Sequence, residues 1–65
     1  MNNDTYIPQK LMRAAEVAQY LNISRAFAYK LMQTGQLRTV QIGHTVRVRP
    51  VDLEQFIQEN VSEKT

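Results

Sequence analysis

The sequence predicts a mainly α-helical domain that carries one β-hairpin, and three observations support this fold class. Apolar residues recur with helical spacing in three separate segments. Between the second and third segments the pattern changes to a strand-like alternation that is interrupted at a glycine. The chain has 65 residues and no cysteine, so we expect one small domain held by apolar packing, without disulfides or thiolate metal sites.

The first helix is predicted over residues 14–21. One of its faces carries the apolar residues Val17, Ala18 and Leu21. Its start lacks a good cap, because Arg13 stands where Ser or Thr would be expected. Glu16 lies in the first turn, where a carboxylate interacts favourably with the helix dipole.

A second helix is predicted over about 24–33, directly after a tight turn. Asn22 tolerates the left-handed backbone of a sharp helix exit, Ser24 is a good N-cap, and Gly35 is a natural C-cap. The residues expected to face the core are Ala28, Leu31 and Met32. Two short helices joined in this way have the sequence form of a helix-turn-helix that contacts DNA.

The opposite stripe of the second helix combines cations, a small residue and a phenol. It consists of Arg25, Ala26, Tyr29, Lys30 and Gln33. Arg offers two donors to guanine in the major groove, and Lys or Tyr anchors phosphates. The alternative is an ordinary solvated helix face, although such faces usually carry Glu and this one has none. Phe27 fits neither face, and we favour packing against the first helix or the hairpin over a place at the DNA edge.

In residues 36–49 apolar and polar side chains alternate, as they do in the strands of a hairpin. One side is predicted to hold Val40, Ile42, Val46 and Val48, and the other Gln41, Arg47 and Arg49. The break at Gly43, His44 and Thr45 gives the turn. The apolar side should pack on the helices, because a two-stranded hairpin is not stable alone. Its basic side would then form a wing that reaches a minor groove or the DNA backbone.

The last helix is predicted over residues 50–60, with Pro50 at its first position and Asp52 in its first turn. Its apolar stripe, which closes the core, is formed by Leu53, Phe56 and Ile57. The predicted organisation is a flexible N-terminal arm (1–10), a winged helix-turn-helix domain (11–60) and a frayed tail (61–65).

Charge is unevenly distributed along the chain. No Asp or Glu occurs between residues 17 and 51, a stretch that contains the cations Arg25, Lys30, Arg38, Arg47 and Arg49. A solvated face with chance segregation of charge is one explanation. The other, which we favour, is a surface that faces phosphates.

Several other classes of protein are disfavoured. No apolar run approaches the roughly 20 residues of a membrane span, and the first residues lack the apolar core of a secretory signal. No nucleophile–base pair, paired carboxylates or phosphate loop is visible, and the lone His44 has no partners in sequence for metal binding. We therefore expect a cytoplasmic protein that is not an enzyme and needs no cofactor or metal.

The chain resembles the excisionase-type branch of the MerR-like winged helix-turn-helix domains over residues 11–57. The resemblance is carried by Glu16-Val17-Ala18, Leu21, Ile23-Ser24-Arg25, Tyr29-Lys30-Leu31, Gly35, Leu37, Val40, Ile42-Gly43, Arg47-Val48 and Asp52-Leu53-Glu54. It implies a small bacterial, phage or mobile-element protein of the nucleoid that binds double-stranded DNA. The recognition helix would contribute Ser24, Arg25, Ala26, Tyr29 and Lys30, and the wing would contribute His44, Thr45 and Arg47.

The chain departs from the family pattern at three places. Phe27 and Ala28 stand where a Thr-Val type of pair is usual, His44 and Thr45 replace a commonly basic pair, and Arg13 replaces the usual cap. These departures bear on the packing of the second helix, on the contact made by the wing and on the start of the first helix.

Three functions remain open at this point. The first, slightly favoured, is an excisionase, or recombination directionality factor, that binds and bends DNA near an attachment site together with a recombinase (integrase). The second is a small transcriptional regulator of phage or mobile-element genes. The third is a protein-interaction adaptor that docks through its last helix. We expect a monomer in solution, with cooperative contacts on DNA as a further option.

Overall fold

The computed structural model describes residues 10–62. The elements are α1 (Ala14–Leu21), α2 (Arg25–Gln33), β1 (Val40–Ile42), β2 (Thr45–Arg47) and α3 (Pro50–Glu59). The strands form a two-stranded antiparallel sheet, so the predicted winged helix-turn-helix fold is confirmed. Residues 1–9 of the predicted arm and residues 63–65 of the predicted tail lie outside the described residues.

α1 and α2 form the helix-turn-helix. Asn22 ends α1 in the left-handed conformation, with φ 60° and ψ 47°, as its residue type predicts. The amide of Ile23 then donates to the carbonyl of Ala18 at 2.9 Å, which closes the turn between the helices. The two helices contribute Ala14, Val17, Ala18, Ala28, Leu31 and Met32 to the buried core. Three of these six residues are alanines, which have little side-chain bulk to separate the helix backbones.

The start of α1 is capped from within the helix. Arg13 is the N-cap residue and makes no side-chain cap hydrogen bond, as the sequence predicts. The carboxylate of Glu16 accepts a hydrogen bond from the backbone N–H of Arg13 at 2.8 Å. Glu16 therefore stabilises the helix start by a hydrogen bond as well as by its favourable position in the helix dipole.

The hairpin has a different register from the predicted one. Its pairs are Val40 with Arg47, Gln41 with Val46 and Ile42 with Thr45. The turn therefore contains two residues, Gly43 and His44, with a positive φ of 62° at the glycine, as the first position of a type II′ turn requires. A change of one residue in turn length exchanges the faces of one strand relative to the other.

The apolar residues of β1 and those of β2 consequently lie on opposite faces of the hairpin. Cross-strand partners share a face, so Val40 and Ile42 lie with Arg47, while Val46 lies with Gln41. The prediction of one continuous Val and Ile face is wrong. Ile42 is 60% exposed and Val46 is 36% exposed, whereas Arg47 is half-buried. Much of the wing therefore projects from the helices and does not lie flat on them.

The base of the wing is held by backbone hydrogen bonds. Met12 and Val48 exchange two such bonds, with N···O distances of 2.8 and 2.9 Å. Val48 is fully buried, so this bridge anchors the strand after the wing to the residues before α1. On the other side, the amide of Leu37 donates to the carbonyl of Leu31 at 3.0 Å. This bond holds the chain where it turns back after α2. The turn passes through Gly35, which has a φ of 80°.

α3 begins at Pro50, as predicted, and is joined to the base of the wing by an ion pair. The guanidinium of Arg49 donates from Nε and Nη2 to the two carboxylate oxygens of Asp52, at 2.6 and 2.9 Å. Asp52 is buried, and Arg49 is half exposed. Arg49 is therefore engaged by a carboxylate, and the interpretation of its charge as part of a free basic face is wrong.

The ion pair makes stability depend on pH. Hydrogen bonds from Arg49 hold the pKa of Asp52 below its usual value, although burial opposes the shift. Because the folded pKa lies below the unfolded value of about 3.9, the stabilisation is present above that value. It is lost as the pH falls through the folded pKa.

We expect Asp52→Asn to destabilise the domain by about 1 kcal/mol at neutral pH, the upper end for an ion pair with one solvent-exposed partner. The difference should shrink as the pH falls from about 4 through the lower folded pKa of Asp52, because the wild-type carboxyl is neutralised over that range. Thermal unfolding of both proteins across a pH series measures this. Glu54→Gln, which removes an exposed carboxylate from the same helix, is the control. A difference that stays constant down to strong acid would contradict the assignment.

Candidate nucleic-acid interface

An open groove of about 860 Å³ lies between α2 and the wing. Its floor and sides come from four parts of the chain: the start of α1, one flank of α2, the segment before β1, and the hairpin. The lining residues are Arg13, Ala14, Ala15, Arg25, Tyr29, Met32, Gln33, Thr39, Gln41, His44, Thr45, Val46 and Arg47. The groove thus joins the two elements that the sequence predicts to contact DNA.

The groove is electropositive. Three arginines from different elements line it, Arg13 before α1, Arg25 at the start of α2 and Arg47 in β2, and no Asp or Glu lines it. Among residues 10–62 the ion pair present joins Arg49 to Asp52, so these three guanidiniums are not neutralised by a carboxylate of the described chain. Like charges gathered in a cleft concentrate the field there and attract an anionic ligand.

α2 is oriented by its buried face. Ala28 and Leu31 are buried, and successive residues of a helix are rotated by about 100°. Tyr29 is 53% exposed and lies on the flank that meets the groove, together with Arg25. Lys30 is exposed but does not line the groove, because it lies a further 100° around the helix. α2 therefore presents cations on both of its exposed flanks.

Ser24 performs the capping role that its residue type predicts. Its Oγ accepts a hydrogen bond from the backbone N–H of Phe27 at 3.0 Å. This bond satisfies one of the free amides in the first turn of α2. It also fixes the helix start, and hence the position of the neighbouring Arg25 at the edge of the groove.

The tip of the wing is short and supported by a side chain. Gln41 donates from Nε2 to the carbonyl oxygen of Gly43 at 3.2 Å. His44 and Thr45 are both exposed and line the end of the groove. Arg47 donates from Nη1 to the carbonyl oxygen of Val46 at 2.9 Å, which holds the guanidinium end of its side chain against the strand backbone.

The structure gathers some of the predicted site residues and leaves others apart. The groove brings together Arg25, Tyr29, His44, Thr45 and Arg47. Ser24, Ala26 and Lys30 are exposed on or beside α2 but lie outside the groove lining. Polar residues that line the groove and that sequence analysis did not assign to a DNA contact are Arg13 and Thr39. At Arg13 the signal was available, since a cation occupies a position that normally holds a cap.

The chain matches a known family of domains. A family model described as a helix-turn-helix domain matches residues 11–61, which is most of the chain. The chain belongs to the helix-turn-helix domain family. Domains of this kind bind DNA. No curated protein and no solved structure gave a significant match.

Phe27 is a large apolar residue on the surface of this helix-turn-helix domain. It is 48% exposed and belongs neither to the buried core nor to the groove lining, so its packing against the first helix or the hairpin stays a prediction. α1 and α2 approach each other through small residues such as Ala18 and Ala28. Phe27 is rotated by about 100° from Ala28, which places it outside that contact.

Neither a metal-binding cluster nor a helix suited to a membrane is present among residues 10–62. Residues 10–62 contain no group of three or more His, Cys, Asp or Glu side chains that could hold a metal ion. None of the helices between these residues is long and apolar enough to cross a membrane.

The capping bond generates a prediction for Ser24. We expect Ser24→Ala to destabilise the helix-turn-helix domain by about 1 kcal/mol, because the amide of Phe27 loses its acceptor. Ser24→Asn, which supplies another good cap, should retain most of the stability. Urea unfolding of the three proteins measures this. Equal midpoints for Ser24→Ala and the wild type would show that the Oγ bond is not stabilising.

Proposed function

We propose that this chain binds duplex DNA sequence-specifically, with α2 in the major groove and the wing on the flanking backbone or minor groove. The observation that carries the proposal is the acid-free groove between α2 and the hairpin, which Arg25 lines from α2 and Arg47 lines from β2. A positive cleft of this kind is complementary to a sugar–phosphate strand, and the adjoining helix face is free to approach base edges.

Roles for the site residues follow from their places around α2. Arg25 opens the helix, and N-terminal residues of a recognition helix contact base edges. Its guanidinium offers two parallel donors to guanine O6 and N7. Ala26 is small and exposed, which allows close approach of the helix to the bases. Tyr29, on the groove flank, and Lys30, on the other flank, would anchor the phosphates of the two strands that border the major groove.

The wing residues would act mainly on the backbone. His44 and Thr45 form the exposed tip, where a hydroxyl and a ring N–H donate to phosphate oxygens. Arg47 contributes a cation along the side of the groove. Contacts of this type raise affinity for every sequence and position the helix, whereas discrimination between sequences would come from α2.

The biological role we favour is that of an excisionase, or recombination directionality factor, of a bacterial phage or mobile element. Its support is the resemblance over residues 11–57 to the excisionase-type MerR-like domains. In this role the protein would act in the cytoplasm on the nucleoid, binding and bending DNA beside an attachment site together with a site-specific recombinase. It would have no enzymatic activity or cofactor, and would be a monomer in solution that contacts further copies on DNA.

The adaptor alternative is weakened by the packing of α3. That hypothesis needs an apolar stripe on the last helix that is free for a partner. Leu53 is buried, and Phe56 and Ile57 are partly buried against the core, so the stripe is used within the domain.

The proposal predicts that selection from a randomised duplex library yields one defined sequence. We expect Arg25→Ala to weaken binding to that sequence by about 1–3 kcal/mol and to relax the preference at the base it contacts. Lys10→Ala, which removes a cation that does not line the groove, should bind as the wild type does. Mobility shifts with the selected duplex and its single-base variants measure both effects.

Two outcomes would contradict the proposal at different levels. Folded wild-type protein that enriches no sequence and shifts no duplex would exclude DNA binding. A selected sequence that lies at a promoter and not beside an attachment site, with no effect of the protein on excision in a recombination assay, would replace excision by transcriptional regulation.

A further inference from the structure

Arg13 occupies a position where its side chain does not stabilise the helix. The N-cap of α1 would favour Ser, Thr, Asp or Asn, whose oxygens accept hydrogen bonds from free amides of the first turn. A guanidinium has five donors and no acceptor, so Arg13 makes no side-chain cap bond. The carboxylate of Glu16 provides the hydrogen bond at this helix start, yet it returns to the Arg13 backbone and leaves those amides without a side-chain acceptor.

The same residue lines the groove between α2 and the wing. Arg13 is exposed and enters the groove from the α1 side, with Arg25 and Arg47 contributed by α2 and β2. Glu16 does not line the groove, and its carboxylate accepts a hydrogen bond from the backbone of Arg13 and forms no ion pair with the Arg13 side chain. The three arginines therefore line one open groove from three separate parts of the chain, which residues of a single helix face could not do.

We propose that Arg13 is a phosphate-binding residue of the DNA interface. The inference rests on the proposed DNA binding and extends the interface to the N-cap of α1. The strand that borders the major groove would pass between α2 and the wing and reach the start of α1. Arg13 would bind one of its phosphates through paired N–H donors. The cation at this position thus serves affinity at the expense of helix capping.

The substitution Arg13→Ser separates affinity from stability, because the two should change in opposite directions. Serine supplies the missing cap acceptor, so the melting temperature should rise by a few degrees. Loss of one phosphate contact should weaken binding to a random-sequence duplex roughly 10-fold. It should also reduce the slope of log affinity against log salt by about 1. Fluorescence anisotropy over a salt series and thermal unfolding measure these quantities.

Two further variants make the test specific. Lys10→Ser removes the same charge from a residue that lines a separate hollow with Tyr20 and Leu53, so its salt slope should equal that of the wild type. Arg13→Lys keeps the charge and should retain the wild-type slope, which a purely structural effect would not predict.

The outcomes separate this inference from the proposal on which it depends. Wild-type protein that binds the duplex while Arg13→Ser keeps the wild-type affinity and slope would overturn the role of Arg13 and leave DNA binding intact. Equal losses in Arg13→Ser and Lys10→Ser would also overturn it, since the effect would then be one of net charge. Folded wild-type protein without affinity for any duplex would overturn both.

Discussion

The position of the wing depends on the two backbone hydrogen bonds between Met12 and Val48. Two three-residue strands with mostly exposed side chains do not form a stable sheet by themselves. The bridge joins the strand that leaves the wing to the residues that lead into α1, and the buried side chain of Val48 fixes that junction in the core. The distance between α2 and the wing, and therefore the groove, depends on this connection.

The ion pair at the start of α3 strengthens the same junction. Arg49 follows Val48 directly and is fixed by both carboxylate oxygens of Asp52. Arg49, one cation of the acid-free stretch, is thus held in a structural ion pair. The other cations of this stretch are Arg25 and Arg47 in the groove lining, Lys30 on the outer flank of α2, and Arg38, which is exposed between α2 and β1. In a small domain of limited stability, charge is used for anchoring at the base of the wing and for ligand attraction in the groove.

The sequence predicts the helices well and the arrangement of the hairpin poorly. Helical spacing in α1, α2 and α3 repeats over two or more turns, and local signals at Asn22 and Ser24 mark the turn between the first two. The hairpin register depends on whether its turn holds two residues or three. Alternation alone does not decide this at Gly43 and His44. The consequence was the wrong placement of Ile42 on a packed face.

Sequence analysis identified the candidate site residues that lie together on one element. It missed those that join the site through contacts between distant parts of the chain. Arg25 and Tyr29 share a helix flank, which periodicity indicates directly. Thr39 lines the groove only because of how the hairpin is anchored to the helices, which no local pattern encodes.

The central claim, that α2 and the wing bind one stretch of DNA together, is tested most directly by amide NMR shifts during titration with the selected duplex. The account predicts the largest changes at Arg25, Tyr29 and Thr45, with the hollow beside Tyr20 and Glu54 unaffected. Changes centred on Tyr20 and Glu54, or changes in α2 without any in the wing, would contradict it.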